Sequence, residues 1–150
     1  MGVRLNIFSI RQVKESSGIY DVDNKRINSP EDANNIINKV LNLSDRAEEV
    51  FGILTLSTKN QVAGVHIISI GTLNSSLIHP REVFKAAILN NAASIIAFHN
   101  HPSGDSTPSK EDVQVTQRLI DAGNILGINV FDHIVVGENE FTSLKSEGLI

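Results

Sequence analysis

Residues 94–112 read SIIAFHNHPSGDSTPSKED. A short apolar strand runs from Ser94 to Phe98 and leads directly into His99, and a turn rich in proline, glycine and serine then leads to a helix. Residues i and i+2 of an extended chain project to the same side, so His99 and His101 present both imidazoles toward one point. The stretch therefore predicts a strand, a turn and a helix that surround a shared polar centre.

The segments around this stretch alternate between strand and helix patterns. Five apolar segments have the length and composition of strands: residues 49–56, 62–70, 94–98, 128–136 and 141–144. Three segments have helical periodicity and recognisable ends: residues 30–43 with Ser29 as N-cap, 80–91 after His79, and 108–126 before Gly127. Strands interleaved with helices, including one hairpin, predict an α/β sandwich with a mixed sheet.

The N-terminal residues carry a weaker pattern. Short apolar and β-branched clusters at 3–13 and 18–27 predict a pair of strands with a hairpin tip at Asp23-Asn24. We therefore expect residues 1–28 to form an N-terminal β extension and residues 29–150 to form the main domain.

Composition limits the classes of function. The 150 residues are 41% hydrophobic and 20% charged, as expected for one globular domain. The chain has no cysteine, so a metal would be held by histidine and carboxylate rather than by thiolate. A net charge of −4 without a basic run argues against an extended nucleic-acid surface, although DNA binding is not excluded. The sequence has neither a leader pattern nor a membrane-length apolar stretch, so we expect a cytoplasmic protein.

Two interpretations of the polar centre compete. In the first, Ser109 and Asp112 form an N-terminal capping box and the histidines only shape a turn. In the second, His99, His101 and Asp112 bind a metal, with water in the fourth position. Pro108 favours the second interpretation, because proline is best placed at the first helical position; Thr107 would then be the N-cap, and Asp112 would have no capping role.

Most enzyme classes with an H-x-H pair do not fit this chain. The string HNH is not the nuclease motif of that name, whose residues are dispersed along the chain. Metallo-β-lactamases require an acidic residue and a histidine where Ser103 and Gly104 stand, and amidohydrolase barrels require roughly 200 residues or more. Zincins require H-E-x-x-H, and base deaminases require a P-C-x-x-C segment, and both are absent.

One family fits the whole pattern. His99-x-His101-Pro102, then Ser109 and Asp112, gives the H-x-H-P-x-x-x-x-x-x-S-x-x-D signature, and this resembles the JAMM (MPN) metalloproteases. Asn100 between the histidines, together with the segments HPREVFKAA and FDHIVVG, is similar to the RadC branch of that family. The resemblance covers about residues 30–150 and implies a cytidine-deaminase-like α/β sandwich with a mixed sheet flanked by helices.

The resemblance also implies roles for particular residues. His99, His101 and Asp112 would hold Zn²⁺. Glu49 would be the general base, because residues 49–52 match the E-V-x-G context of that residue in the family. Glu48, one residue before it, is the alternative. Ser109 would donate a hydrogen bond to the developing oxyanion. The implied activity is a zinc metalloprotease or related hydrolase that cleaves a peptide or isopeptide bond of a protein or peptide substrate.

Other residues and other functions stay open at this point. Asp132 and His133 are interpreted as structural or as supports of the ligands, His66 as part of a strand, and His79 as a helix entry. Full-length RadC proteins carry a helix-hairpin-helix-like region that 28 residues cannot contain, so we expect a stand-alone domain. The alternatives to a hydrolase are a DNA repair or recombination accessory protein with a structural metal, and an interaction module without catalysis.

Overall fold

The protein is described by a computed structural model that covers residues 1–71 and 78–150. Within these ranges the helices and strands follow the predicted order. The strands are β1 (Val50–Leu56), β2 (Val62–Ile70), β3 (Ser94–Asn100), β4 (Asn129–Val136) and β5 (Phe141–Ser143). The helices are α1 (Pro30–Leu41), α2 (Pro80–Leu89) and α3 (Lys110–Leu126), and a single 3-10 turn covers Leu43–Asp45.

The strands form one mixed sheet in the order β2-β1-β3-β4-β5. β1 runs antiparallel to both β2 and β3, whereas β3 and β4 are parallel and are connected through α3. β3 therefore lies at the centre, and the start of β1 lies beside the end of β3, as the pairing of Phe51 with His99 shows. The predicted α/β fold with a mixed sheet is confirmed.

The helices cover both faces of the sheet. Residues of the central strands alternate between the two faces, so each strand contributes side chains to two cores. One face packs against α1, and its core includes Ile37, Leu54 and Phe98. The opposite face packs against α2 and α3, and its core includes Phe84 and Leu119. Both faces of β1 and β3 are covered, and every residue of the two strands is buried, which explains their almost continuous apolar sequences.

Gly52 is required by close packing inside the sheet. A Cβ at this position would lie 2.4 Å from the His66 carbonyl oxygen and 2.5 Å from Cζ of Phe98. Neither distance is tolerated by real Cβ atoms, and the first involves backbone that cannot move away cheaply. The glycine of the Glu49-Val50-Phe51-Gly52 segment is therefore explained by the fold.

The helix termini agree with the sequence in one case and correct it in another. Ser29 caps α1 as predicted and forms a capping box with Asp32. The predicted start of α3 is wrong: Ser109, not Thr107, is the N-cap, and Ser109 and Asp112 form a capping box. Two reciprocal hydrogen bonds at the cap outweigh the preference of Pro108 for the first helical position.

The predicted N-terminal strand pair is also wrong, since residues 1–25 contain no strand. Residues 1–20 are exposed throughout, so their apolar side chains have no sheet face to cover, and a lone hairpin is at best marginally stable in water. Arg26 forms an isolated bridge with Gln61, and Ile27 beside it is buried. The division of the chain at residue 28 stays a prediction.

Within the described residues, no helix combines the length and the apolar composition that a membrane span requires.

Candidate metal centre

The two histidines lie at the end of β3. His99 lies within β3 on the face covered by α2 and α3, and its side chain is 1% exposed. His101 follows the strand, and its backbone N–H donates to the carbonyl of Val136 on β4, which holds the chain extended for one more residue. The histidines therefore share a side, as their spacing predicts, and their Nε2 atoms lie 2.9 Å apart.

The first turn of α3 brings Asp112 against both imidazoles. Asp112 Oδ1 lies 3.2 Å from Nε2 of His99, and Oδ2 lies 3.3 Å from Nε2 of His101. The capping box fixes this carboxylate, because its Oδ2 also accepts the backbone N–H of Ser109 at 2.7 Å. Capping and convergence on the histidines are thus compatible, and the two interpretations that competed at the sequence level describe the same residues.

The three side chains fit a small divalent cation such as zinc. Their ligand atoms all lie within 4.8 Å of one another. Ligands at 2.0–2.1 Å from one zinc in tetrahedral geometry are about 3.3 Å apart, which matches the two histidine-to-aspartate distances. Two neutral nitrogens and one carboxylate oxygen are also one of the donor sets found in catalytic zinc sites that have no cysteine.

Hydrogen bonds from backbone and side chains orient the rings. Nδ1 of His101 lies 2.7 Å from the carbonyl oxygen of Asp105, so this nitrogen carries the proton and Nε2 is left with its lone pair. Nδ1 of His99 lies 2.7 Å from Nε2 of His133, and Phe51 stacks on the His99 ring with a centroid distance of 6.4 Å. Each ring is therefore held on the side away from Asp112.

The charges at the centre are coupled. Burial raises the pKa of Asp112, but hydrogen bonds with His101 and His99 outweigh it and hold this pKa well below its usual range. The same hydrogen bond with Asp112 raises the pKa of His101, against the opposing effect of burial. Burial also lowers the pKa of His133 well below its usual range, with the charge on His99 acting in the same direction.

Glu49 and Ser109 line the same pocket as the three clustered residues. The pocket, formed where β1 begins, β3 ends and α3 begins, has a volume of about 240 Å³ and also contacts Glu111 and Val115. Glu49 immediately precedes β1 and is half-buried, whereas Glu48 is exposed and does not line the pocket. Of the two neighbouring glutamates, Glu49 is thus the one that faces the pocket.

Asn100 holds the segment that carries Glu49. Its side-chain oxygen accepts the backbone N–H of Val50 at 2.7 Å, and its amide nitrogen donates to the carbonyls of Glu48 and Arg46. Asn100 points to the opposite face of β3 from His99 and His101, as the period of two requires. The residue between the histidines therefore contacts the chain on either side of Glu49, a role that sequence reasoning did not identify.

The remaining singled-out residues lie outside the pocket. Asp132 has a structural role, since it accepts hydrogen bonds from the backbone of His133 and Lys145 and from the Ser143 hydroxyl. His66 lies in β2, and His79 is the N-cap of α2 without a side-chain capping bond.

Thr116 was missed by sequence reasoning. Its hydroxyl lies between His133 and the carbonyl of Asp112, and it is fully buried. Its position four residues after Asp112 on the same helical face was a signal that could have identified it.

The fold and the site together define an α/β domain with a His-His-Asp group of metal-ligand geometry at the end of its central strand. Sequence comparison assigns the family: the profile described as the RadC-like JAB domain matches residues 27–149, so the chain belongs to this family.

Similar proteins from bacteria and archaea support the assignment. The UPF0758 protein of Desulforamulus reducens is 59% identical over 124 residues, which are 83% of this chain and 54% of the relative. The UPF0758 protein of Desulfitobacterium hafniense is 53% identical over the same shares of both chains. The UPF0758 protein of Methanosarcina mazei is 44% identical over 84% of this chain and 54% of its own. The chain thus spans about half the length of these relatives.

Proposed function

We propose that this chain is a zinc-dependent metallohydrolase that cleaves a peptide or isopeptide bond with water. The observation that carries the proposal is the convergence of His99, His101 and Asp112 in a pocket that Glu49 and Ser109 also line. A purely structural zinc site has four protein ligands, whereas this cluster has three and opens into a pocket. Membership of the RadC-like JAB domain family supports the same chemistry.

His99, His101 and Asp112 would hold the metal. When bound, zinc lowers the pKa of a water molecule to about 7 and polarises the carbonyl of the scissile amide. Asp112 supplies negative charge and two oxygens, and the capping box keeps its carboxylate in place before any ion binds. The low pKa of Asp112 keeps this group ionised at neutral pH.

Glu49 would move the proton. Its carboxylate lines the pocket, so it is placed to accept a proton from the attacking water and to deliver that proton to the leaving amine. A carboxylate suits both steps, because the oxygen that accepts the proton of the water can then give it to the leaving nitrogen. Asn100 fixes the backbone on both sides of Glu49 and would maintain its position.

Ser109 would stabilise the oxyanion. Its Oγ accepts the backbone N–H of Asp112 at 3.0 Å, and a hydroxyl has only one hydrogen, which this bond does not use. The hydrogen of Ser109 is therefore available to a negative oxygen that develops in the pocket. Ser109 acts as a donor in this scheme, so no covalent intermediate with the enzyme forms.

The proposal is tested by separating metal binding from hydrolysis. Zinc affinity is measured by competition with a chromogenic chelator, and hydrolysis is measured by mass spectrometry on a library of peptides and lysine isopeptides in ¹⁸O-labelled water. We expect about one zinc per chain, a loss of zinc in His99→Ala, and incorporation of one ¹⁸O atom into each new carboxylate.

Glu49→Gln provides the discriminating variant and Glu48→Gln its control. Glu49→Gln should retain zinc and lose hydrolysis by roughly 10²- to 10⁴-fold, as expected for removal of a general base. Glu48→Gln should behave as the wild type, because this side chain is exposed and outside the pocket. Absence of stoichiometric zinc in the wild type would overturn the proposal, and so would equal effects of the two glutamine variants.

A further inference from the structure

A line of buried hydrogen bonds extends from the proposed metal ligand His99 back to α3. Nδ1 of His99 lies 2.7 Å from Nε2 of His133, and Nδ1 of His133 lies 2.5 Å from Oγ1 of Thr116. Thr116 in turn donates to the carbonyl oxygen of Asp112 at 2.6 Å. The side chains of His99, His133 and Thr116 are all almost completely buried, so water does not compete for these bonds.

The last bond of this series, from Thr116 to the Asp112 carbonyl, determines the donor and the acceptor of each of the other bonds. A carbonyl oxygen only accepts, so the single hydroxyl hydrogen of Thr116 is committed to Asp112. Thr116 must therefore accept from His133, which places a proton on Nδ1 of His133. Thr116 is four residues after Asp112, and this bond to the preceding turn is a regular feature of threonine in helices.

The protonation of His133 then determines the form of His99. Within the described part of the chain the ring of His133 has no anionic hydrogen-bond partner, and a buried imidazolium that lacks one is unfavourable. A neutral His133 with its proton on Nδ1 has a lone pair on Nε2, so it accepts from Nδ1 of His99. His99 consequently presents an unprotonated Nε2 toward His101 and Asp112.

We propose that Thr116 and His133 are positioning residues, which fix the tautomer of His99 so that its Nε2 lone pair faces the metal. The inference rests on the proposed function for its purpose, since a neutral nitrogen with a free lone pair is what a metal requires. Because His101 is fixed in the same form by the Asp105 carbonyl, two lone pairs face each other 2.9 Å apart. Such a pair is repulsive unless a cation or a proton lies between the nitrogens.

The opposite direction of these hydrogen bonds would prevent His99 from binding a metal. If Thr116 donated to Nδ1 of His133, the proton of His133 would lie on Nε2. Nδ1 of His99 would then have to accept a hydrogen bond from this Nε2–H group. Nε2 of His99 would then carry a hydrogen that points at the metal position. The bond between Thr116 and the Asp112 carbonyl selects against this arrangement. The Thr116 hydroxyl on α3 therefore determines which ring nitrogen of His99 on β3 carries the proton.

Thr116→Val tests the inference, because valine has nearly the same shape as threonine and lacks the hydroxyl. We expect zinc affinity to fall by about 10- to 100-fold, the range typical of lost support for a metal-bound histidine. Thr116→Ser keeps the hydroxyl and should restore the wild-type affinity to within about threefold. Circular dichroism verifies that each variant is folded before the titration.

Thr55→Val is the matched control. Thr55 is also fully buried, and its hydroxyl also contacts a backbone carbonyl, that of Gly64, as well as the side chains of Asn90 and His66, but it lies away from the metal centre. This variant should lose a comparable amount of stability and leave zinc affinity unchanged. The comparison separates a loss of positioning from a general loss of packing.

The second measurement reads the tautomer without metal. ¹⁵N chemical shifts of the imidazole nitrogens, recorded at pH 8 on the metal-free protein, should show a protonated Nδ1 and an unprotonated Nε2 for His99. In Thr116→Val the Nε2-protonated form should appear. A protonated Nε2 in the wild type, or a zinc affinity of Thr116→Val equal to that of the wild type, would overturn the inference. A wild type that binds no zinc would refute the proposed function, whereas the NMR result would still decide the tautomer.

Discussion

In the candidate metal centre, a bound metal ion would compete with the proton of His101. The hydrogen bond that His101 donates to Asp112 raises the pKa of His101, and the same contact holds the pKa of Asp112 below its usual range. Each group thus stabilises the charged form of the other when no metal is present. A bound metal ion would replace the proton of His101 while keeping the attraction to Asp112, so metal and proton would compete for one position.

Zinc affinity should therefore decrease as the pH falls. Below the pKa of His101, which lies above the ordinary 6.5, a proton must leave before the ion can bind. We expect the apparent affinity to be lower at pH 6 than at pH 8, with release of a proton on binding at the lower pH. Chelator competition at several pH values measures this effect. An affinity that is the same at pH 8 and pH 6 would contradict the coupling.

The stability of the metal-free protein should have the complementary pH dependence. The raised pKa of His101 contributes stability that is fully present below about 6.5, the unfolded value, and is lost as the pH rises through the folded value. The lowered pKa of Asp112 contributes stability that is present above about 3.8 and is lost as the pH falls below it.

The pair should consequently stabilise the metal-free protein most between about pH 4 and 6.5. Urea unfolding of the wild type in the presence of a chelator should show this window, and Asp112→Asn should remove it. If the variant kept the same pH profile as the wild type, the ion pair would not be its cause.

The residues that converge on the centre were largely visible in the sequence, but their supports were not. The shared side of His99 and His101 follows from the period of the strand, whereas the approach of Asp112 also depends on the start of α3, which the sequence rules predicted wrongly. The role of His133 depends on the parallel pairing of β3 with β4, which places it beside Ala97 in the neighbouring strand. Such a contact is not encoded in any local pattern.

At the scale of elements, the start of α3 combines two roles in one turn. Ser109 and Asp112 cap the helix, as Ser29 and Asp32 cap α1, yet only the α3 pair also lines the pocket. The sequence rules for Pro108 and for the capping box gave different starts for α3, and the rule that satisfied more hydrogen-bond donors prevailed. The two boxes therefore provide an internal comparison.

Ser109→Ala and Ser29→Ala should have similar effects on stability and different effects on hydrolysis. Each removes an N-cap acceptor, so each should lower the free energy of unfolding by about 1 kcal/mol. Only Ser109→Ala removes the proposed oxyanion donor, and its hydrolysis should decrease by roughly 10²- to 10³-fold. Urea unfolding and the ¹⁸O assay measure the two effects. Equal activity of the two variants would remove the catalytic role of Ser109 and leave the capping role.

Gly52 connects the packing of the sheet to the position of Glu49 at the start of the same strand. Gly52→Ala would place a methyl group against the His66 carbonyl and the Phe98 ring. We expect it to lower the free energy of unfolding by about 1–3 kcal/mol, as overpacking does in other cores. Gly2→Ala, where nothing lies within 4 Å, is the control and should have no effect in the same unfolding measurement. A Gly52→Ala variant as stable as the wild type would show that the sheet relaxes around the added methyl.

The order of the strands in the sheet explains how residues distant in sequence meet at the pocket. β1 is antiparallel to β3, so its first residues lie at the end of β3 where the histidines are. α3 connects β3 to the parallel strand β4, and it returns Asp112 and Thr116 to the same end of the sheet. The topology thus unites a segment near residue 49 with residues 99–133, although no sequence rule connects them.

Residues 27–149, which the family profile matches, contain this whole arrangement, whereas the first residues of the chain do not contribute to it. Deletion of residues 2–20 should change the free energy of unfolding by less than about 0.5 kcal/mol, because all of these side chains are exposed. Deletion of residues 2–28 should cost about 2–3 kcal/mol, because Ile27 is 4% exposed and its burial is lost. That deletion also removes two backbone hydrogen bonds, in which the Ile27 N–H donates to the carbonyl of Asn60 and the Val62 N–H donates to the carbonyl of Lys25. Urea unfolding measures both changes. If removal of residues 2–20 alone cost more than about 1 kcal/mol, their exposed apolar side chains would have to be covered in solution by a surface of this chain or of a second copy.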